Sequence, residues 1–499
     1  MRKAITLLIS LLAFAASAQD LASFEKKTTV RTLPNGLTII LVERHDAPVF
    51  SYATVVDAGS AQEVPGITGL AHMFEHMAFK GTTTVGTKNA AAEKAALERV
   101  EATYAAYDHE RHRETGRDDA KVAALEKEWR DAIAAAEEFV IGDEFSQIVD
   151  RNGGVGMNAF TASDLTAYFF SMPANRFELW AYLESERFRD PVFRQFYKER
   201  DVVQEERRMS VESRPAGRLD EQFYAAAFIA HPYGFNGIGW PSDLQSFSAT
   251  DAKAFFDKYY IPSNIVVAVV GDLDPAKAMP VLERYLGRLP KKPEPEPLRT
   301  VEPPQTAERS VVLRERAQPL YMEGYHRPSA NDPDNATYDV MSILLSSGRT
   351  SRLYRSLVRD KKLAIRASGF SGEPGEKYPN LFTFSVVPSQ GHAPSELIAP
   401  LRAEIERLKT EDVPAEELQS VKTRAKAGLL RRLDSNQGLA LQLAMAQTLS
   451  GDWRDLFREV DRIDQVTAAD VKRVAAKTFL ATNRTTGTLE TLQPQGGAK

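Results

Sequence analysis

The chain of 499 residues contains no cysteine. That absence excludes disulfide frameworks, thiol nucleophiles, iron–sulfur clusters and cysteine-type zinc sites. A surplus of one charge is missing too. Sixty-three Lys and Arg against 68 Asp and Glu leave a net charge of −5, too mild for a protein that grips nucleic acid through a basic face. Histidine is scarce, with eight in all, so a metal must be held by a few of these together with Asp or Glu. Bulk disorder is excluded by 43% hydrophobic and 9% aromatic residues. Beyond the N-terminus no stretch is apolar enough to cross a bilayer.

What is there begins with an address. Arg2 and Lys3 precede the apolar run Ala4–Ala16, and Ala16-Ser17-Ala18 has the small-x-small form of a cleavage site. Residues 1–18 therefore read as a signal peptide cut before Gln19. The mature chain is expected to be exported, to the periplasm in a bacterium with two membranes, and to keep no transmembrane anchor. Prolines recur from Pro290 to Pro303-Pro304 among charges. That composition predicts a stiff linker over 290–305, between a first region at 19–289 and a second at 306–491.

Strand and helix patterns mix without βαβ regularity, which predicts an α+β fold. Strands are expected at Thr29–Leu33 and Leu37–Glu43 around an Asn-Gly turn, at Val49–Asp57, Met157–Thr161, Thr166–Met172 and Asn264–Gly271. Helices are expected at Asn175–Arg187, Arg194–Ser213, Ala252–Tyr260 and Pro275–Leu286. The second region echoes this order weakly. Residues 88–140, rich in Ala, Glu, Lys and Arg and broken by Thr115-Gly116-Arg117-Asp118, read as an inserted helical hairpin projecting from a connection. His109 and His112 within it lack a third partner and read as a solvated face.

The chemistry is concentrated in Gly69-Leu70-Ala71-His72-Met73-Phe74-Glu75-His76-Met77, followed by Gly81. On a helix His72 and His76 lie one turn apart on one face, the spacing that fills two corners of a tetrahedral zinc site. Glu75 sits between them, too close to be a third ligand but placed to accept a proton from a zinc-bound water. The third ligand is expected on the acidic stretch Glu199–Glu206. Glu199 and Glu206 are two turns apart and share a face, and Glu205 points about 100° away. By composition alone that stretch would read as a solvated surface.

These motifs carry a resemblance. The reversed zinc-binding order HxxEH, Gly153-Gly154-Val155-Gly156-Met157-Asn158-Ala159-Phe160-Thr161 and Glu199–Glu206 together resemble the pitrilysin/insulinase (M16) family of zinc peptidases, in its bacterial processing-peptidase-like branch. Pro191-Val192-Phe193, His231-Pro232-Tyr233-Gly234 and Val270-Gly271-Asp272 extend the likeness, which covers the mature chain and loosens in its second half. The resemblance implies two homologous α/β-sandwich domains of the LuxS/MPP-like type, forming half of a clam-shell. It implies one zinc ion per chain, held by His72, His76 and Glu206, with Glu199 steadying the site and Glu75 as general base. It also implies that Asn158 and Ala159 lie on an edge strand where a substrate peptide adds by β-augmentation. The activity implied is zinc-dependent endopeptidase cleavage of peptides or unfolded segments. The alternative is a non-catalytic structural or peptide-binding subunit of the same family.

Two departures stand out. His76 and Glu206 are 130 residues apart (206 − 76), against roughly eighty in relatives, and the hairpin accounts for the excess. Active relatives also carry an Arg and a Tyr seven residues apart in the second homologous half or in a partner. Here Arg359 is present, but the Tyr position falls on Ile365 or Arg366. The resemblance therefore implies the zinc-bearing subunit of a heterodimer whose paralogous partner supplies the Arg/Tyr pair, with a homodimer as the alternative.

Overall fold

Runs of β-branched residues build the first sheet. The structure is a computed structural model that describes residues 21–492, so the expected signal peptide of residues 1–18 lies outside the described residues. Strands β1 (Thr28–Thr32), β2 (Thr38–Glu43), β3 (Val49–Val56), β4 (Val155–Thr161), β5 (Thr166–Pro173) and β6 (Ile265–Gly271) form a six-stranded sheet in the order β1-β2-β6-β3-β5-β4. Only the β2–β6 pair is parallel. β6, Ile-Val-Val-Ala-Val-Val-Gly, is buried at every position, as a central strand covered on both faces must be. In the β1–β2 turn, Gly36 takes a φ of 100°. Asn35 Nδ2 donates to the carbonyls of Leu286 (3.0 Å) and Leu289 (3.1 Å), fastening the turn to the end of the helix Pro275–Leu286.

A second, five-stranded sheet comprises β7 (Arg309–Glu315), β8 (Leu320–Arg327), β9 (Ala364–Glu373), β10 (Asn380–Pro388) and β11 (Arg484–Thr491), in the order β7-β11-β8-β10-β9. Residues 290–306, between the two sheets in sequence, carry no helix or strand. The molecule is thus an α+β fold built on two sheets, each packed with helices.

Each sheet borrows a helix from the other half of the chain. One face of the first sheet presents Ile40, Val42, Ala53, Val55, Val266 and Val270. It is covered by Leu439, Ala440, Leu443 and Ala444 of the helix Asn436–Ser450. In return the helix Pro215–Ala227 lays Leu219 and Phe223 on Leu320, Met322, Leu381 and Leu489 of the second sheet. Gly324 of β8 permits this approach, since a Cβ there would stand 2.8 Å from Phe223 Cζ.

The hairpin consists of helices Ala90–Arg111 and Asp119–Glu137, capped by Asn89 and Asp118 and closed at its base by pairing of Thr87 with Val140. Its composition predicts a hairpin projecting from a connection, but it lies against the body. Tyr104, Tyr107 and Trp129 form an aromatic face that packs on Tyr197.

Candidate metal centre

The helix Leu70–Met77 starts at Gly69, whose φ of 95° favours glycine and where a Cβ would meet the Ile238 carbonyl at 2.7 Å. Leu70, Ala71, Met73, Phe74 and Met77 are buried. Phe74 is held among Phe193, Phe255, Phe256 and Tyr260. Anchoring that face fixes the opposite one, which carries His72, Glu75 and His76. The N-terminus is held by Glu63, which accepts from Gly69 N (2.8 Å) and Ala71 N (2.7 Å). Burial pushes Glu63 up to about 8, against the pull of these two donors. Both its oxygens accept N–H groups, bonds that are charge-assisted in the carboxylate, whereas in the acid the hydroxyl oxygen accepts weakly and its O–H needs a partner of its own.

The helix Phe196–Arg207 faces it. Sequence patterning started this helix at Arg194, but Gln195 takes a left-handed φ of 59° and sets the boundary. Past Arg207 the turns widen into a π-helical segment, Arg208–Glu212. Glu206 Oε2 lies 3.3 Å from His76 Nε2 and 3.7 Å from His72 Nε2. Ligands bound tetrahedrally at zinc–donor distances of 2.0–2.1 Å would be about 3.3 Å apart, so this donor set fits zinc. Among the described residues, His72, His76 and Glu206 are the one group whose ligand atoms converge in this way.

Glu199, on the same face as Glu206, has Oε2 3.6 Å from His76 Nδ1, beyond hydrogen-bond length, and its other oxygen pairs with Lys80 Nζ. Glu205 turns away to Arg208. Glu75 is half-buried and has no hydrogen-bond partner among the described residues. His72 Nδ1 is buried and unpartnered.

Burial lowers the pKa of His72, and the Glu206 charge only partly offsets this, which favours the neutral, ligating imidazole. The Glu199 carboxylate raises His76 against the effect of burial. Glu199 itself resists its own burial and is held low by His76 and Lys80.

The site opens into a cleft of about 450 Å³, whose lining includes His72, Thr161, Glu206, Asp220, Asn236 and, from the second half, Pro374. Glu206 is the most open of the three donors, with 45% of its side chain exposed. Strand β4 runs beside the histidine helix, where Thr161 Oγ1 donates to the Ala71 carbonyl (3.4 Å). Among the described residues it pairs only with β5 and is an edge strand, and it carries exposed Asn158 and buried Ala159. Arg359 ends a wide-turned helix, Tyr354–Asp360, and pairs with Asp360 at 2.6 Å. Ile365 is 61% exposed at the start of β9, one of the two edge strands of the second sheet.

Sequence reasoning missed Glu63, Lys80 and Asp220. Lys80, one helical turn past His76, had a spacing signal. Glu63 and Asp220 had none, since their positions depend on tertiary contacts.

Residues 38–112 match the family described as Insulinase (Peptidase family M16), and residues 246–425 match the Peptidase M16 inactive domain. The chain belongs to the M16 peptidase family. The zinc protease PqqE of Helicobacter pylori is 28% identical over 95% of this M16 chain and 96% of its own length. The crystal structure of a protease from Helicobacter pylori superposes with a TM-score of 0.77 at 26% identity, over 93% of this chain and 99% of that one. The periplasmic protease PqqL from Escherichia coli shares the fold, with a TM-score of 0.69 at 17% identity, over 94% of this chain but only 48% of its own.

Proposed function

We propose that this M16 chain is a zinc-dependent endopeptidase that cleaves peptides or unfolded segments. The observation that carries the reading is the convergence of His72 Nε2, His76 Nε2 and Glu206 Oε2 with Glu75 on the same histidine helix. Zinc, when bound, would acidify a water and polarise the scissile carbonyl. Glu75 accepts the proton of the attacking water and returns it to the leaving amine nitrogen. Glu199, held by Lys80, lies 3.6 Å from His76 Nδ1 and acts on that imidazole through its charge, steadying it as a ligand. The outer edge of β4 at Asn158 and Ala159 takes the substrate backbone as an added strand, bringing it beside the helix that carries Glu75.

The second half carries Ile365 or Arg366 where a phenol is expected, so full activity requires a paralogous M16 subunit that supplies the Arg/Tyr pair. PqqL, of which this chain spans 48%, has the length of two such chains. Residues 1–18, acting as a signal peptide, would export the chain, to the periplasm in a bacterium with two membranes.

The test is Glu75→Gln in the purified chain, with and without the paralogous subunit. Zinc content is read by elemental analysis and new peptide N-termini by mass spectrometry. Zinc should stay at one per chain while cleavage falls at least about hundredfold. Equal cleavage by parent and variant would leave the non-catalytic, peptide-binding role.

A further inference from the structure

The inserted hairpin meets the body at the start of the helix that carries Glu199 and Glu206. Three of its carboxylates accept from four residues of the body there. Glu93 takes Arg194 in a two-pronged pair, Nε to Oε1 at 2.5 Å and Nη2 to Oε2 at 2.8 Å, with both side chains almost fully buried. Glu101 accepts from Tyr197 Oη (2.6 Å) and from Thr250 N and Oγ1 (2.9 and 2.7 Å). Glu137 accepts from Gln195 Nε2 (2.8 Å). Further along, Arg200 donates to Tyr104 Oη (2.9 Å) and lies over the rings of Tyr104, Trp129 and Tyr197.

Arg194 reaches the histidine side as well. Its Nη1 donates to the carbonyls of Lys80 (2.7 Å) and Val85 (3.2 Å), and its Nη2 to that of Thr82 (3.0 Å). These residues form the loop that follows the histidine helix. Lys80 in that loop pairs with Glu199, which lies against His76 Nδ1. One buried guanidinium therefore ties the hairpin, the loop after the histidines and the start of the glutamate helix together. The same junction borders an open pocket of about 770 Å³, whose lining includes Glu93, Glu101, Glu137, Arg194, Gln195 and Tyr197 of these polar ties.

We infer that the hairpin is a splint for the metal site, and that Glu93 and Glu101 are positioning residues that hold the elements bearing His76 and Glu206 at ligating separation. This rests on the metal-site reading above. The splint works by pre-organisation. Without it the two helices must be ordered by the metal itself, and affinity falls by that cost.

The test uses the full chain and zinc itself as the probe. Zinc dissociation constants are measured by chelator competition, coordination geometry by the visible spectrum of the cobalt-substituted protein, and stability by the thermal midpoint of the metal-free form. E93Q and E101Q should each weaken zinc binding about tenfold, the lower range for loss of a group supporting the ligands, and should change the cobalt spectrum. E110Q is the control. Glu110 pairs with Lys121 (2.8 Å) at the hairpin's far end, so this change loosens the hairpin without touching the junction. It should lower the midpoint and leave zinc affinity within about twofold. E93Q and E101Q that lose stability but keep parental affinity and spectrum would overturn the inference. So would an E110Q protein that loses affinity equally. If E93Q does not fold, E101Q decides. A parent chain that takes up no zinc overturns the metal-site reading, and this inference with it.

Discussion

Replacing Glu63 with Gln tests how the histidine helix is held. Two effects oppose each other at this side chain, which is 2% exposed. Burial favours a neutral group and pushes the acid up to about 8. The two N–H donors from Gly69 and Ala71, at the positive end of the helix, favour the carboxylate. Gln keeps one acceptor oxygen and turns an NH2 group toward the other donor. The variant loses one charge-assisted bond, worth about 1.5–3 kcal/mol, and weakens the second, while relief of the buried charge returns part of that. The expected net loss is about 2 kcal/mol. The assay is hydrogen exchange at pH 7 of the amides at the start of the helix, His72 to Glu75. A loss of about 2 kcal/mol accelerates exchange roughly thirtyfold where local opening governs it. Exchange in the variant as slow as in the parent would refute the reasoning, since it would mean that burial wins and that the parent holds Glu63 protonated.

Glu206→Gln replaces an anionic ligand with a weak neutral one and should cost more than about a hundredfold in zinc affinity, read by chelator competition, with an unchanged circular dichroism spectrum. Asp220 lines the same cleft, and burial raises it from 3.8 to about 6, with Arg214 pulling it down. A carboxyl raised on folding contributes stability that is fully present below about pH 4 and is lost as pH rises through about 6. The shift corresponds to roughly 3 kcal/mol. Asp220→Asn should abolish that fall between pH 4 and pH 6 in midpoint-against-pH curves, and identical slopes in both proteins would count against it.

The legible parts of the site were those whose geometry is local. His72 and His76 converge because four residues make one helical turn, whatever surrounds them. Glu199 and Glu206 share a face for the same reason. Bringing the two helices together is another matter, because it depends on a contact across 130 residues (206 − 76) that no spacing encodes. Glu63 was invisible because it acts on main-chain N–H groups, which every sequence has. The start of the glutamate helix was misjudged by two residues because Gln195 takes a left-handed conformation without a glycine to mark it. The hairpin's docking was missed because Tyr104, Tyr107 and Trp129 are few among its Ala, Glu, Lys and Arg. Three aromatics on one face nonetheless outweigh that composition once Tyr197 and Arg200 are there to meet them.

The first sheet posed a question that its own half of the sequence could not answer. β3 and β6 are buried along nearly their whole length, so both faces need a cover, yet to one of them the first half supplies only the short helix Leu21–Lys27, through Phe24. The second cover is the helix Asn436–Ser450, joined by Leu429, Leu433, Trp453 and Phe457. At about 1.5–3 kcal/mol for each large side chain buried, these residues contribute on the order of 10 kcal/mol as an upper estimate, comparable to the whole stability of a domain. A cut at the proline-rich linker would therefore not release an independent metal-binding unit. Residues 19–289 expressed by themselves should expose Ile40, Val42, Val55, Val266 and Val270, bind the dye ANS and aggregate, while co-expression with residues 306–492 should restore a soluble zinc-binding complex. A monomeric 19–289 fragment that unfolds cooperatively and takes up one zinc would show that the borrowed helix is dispensable.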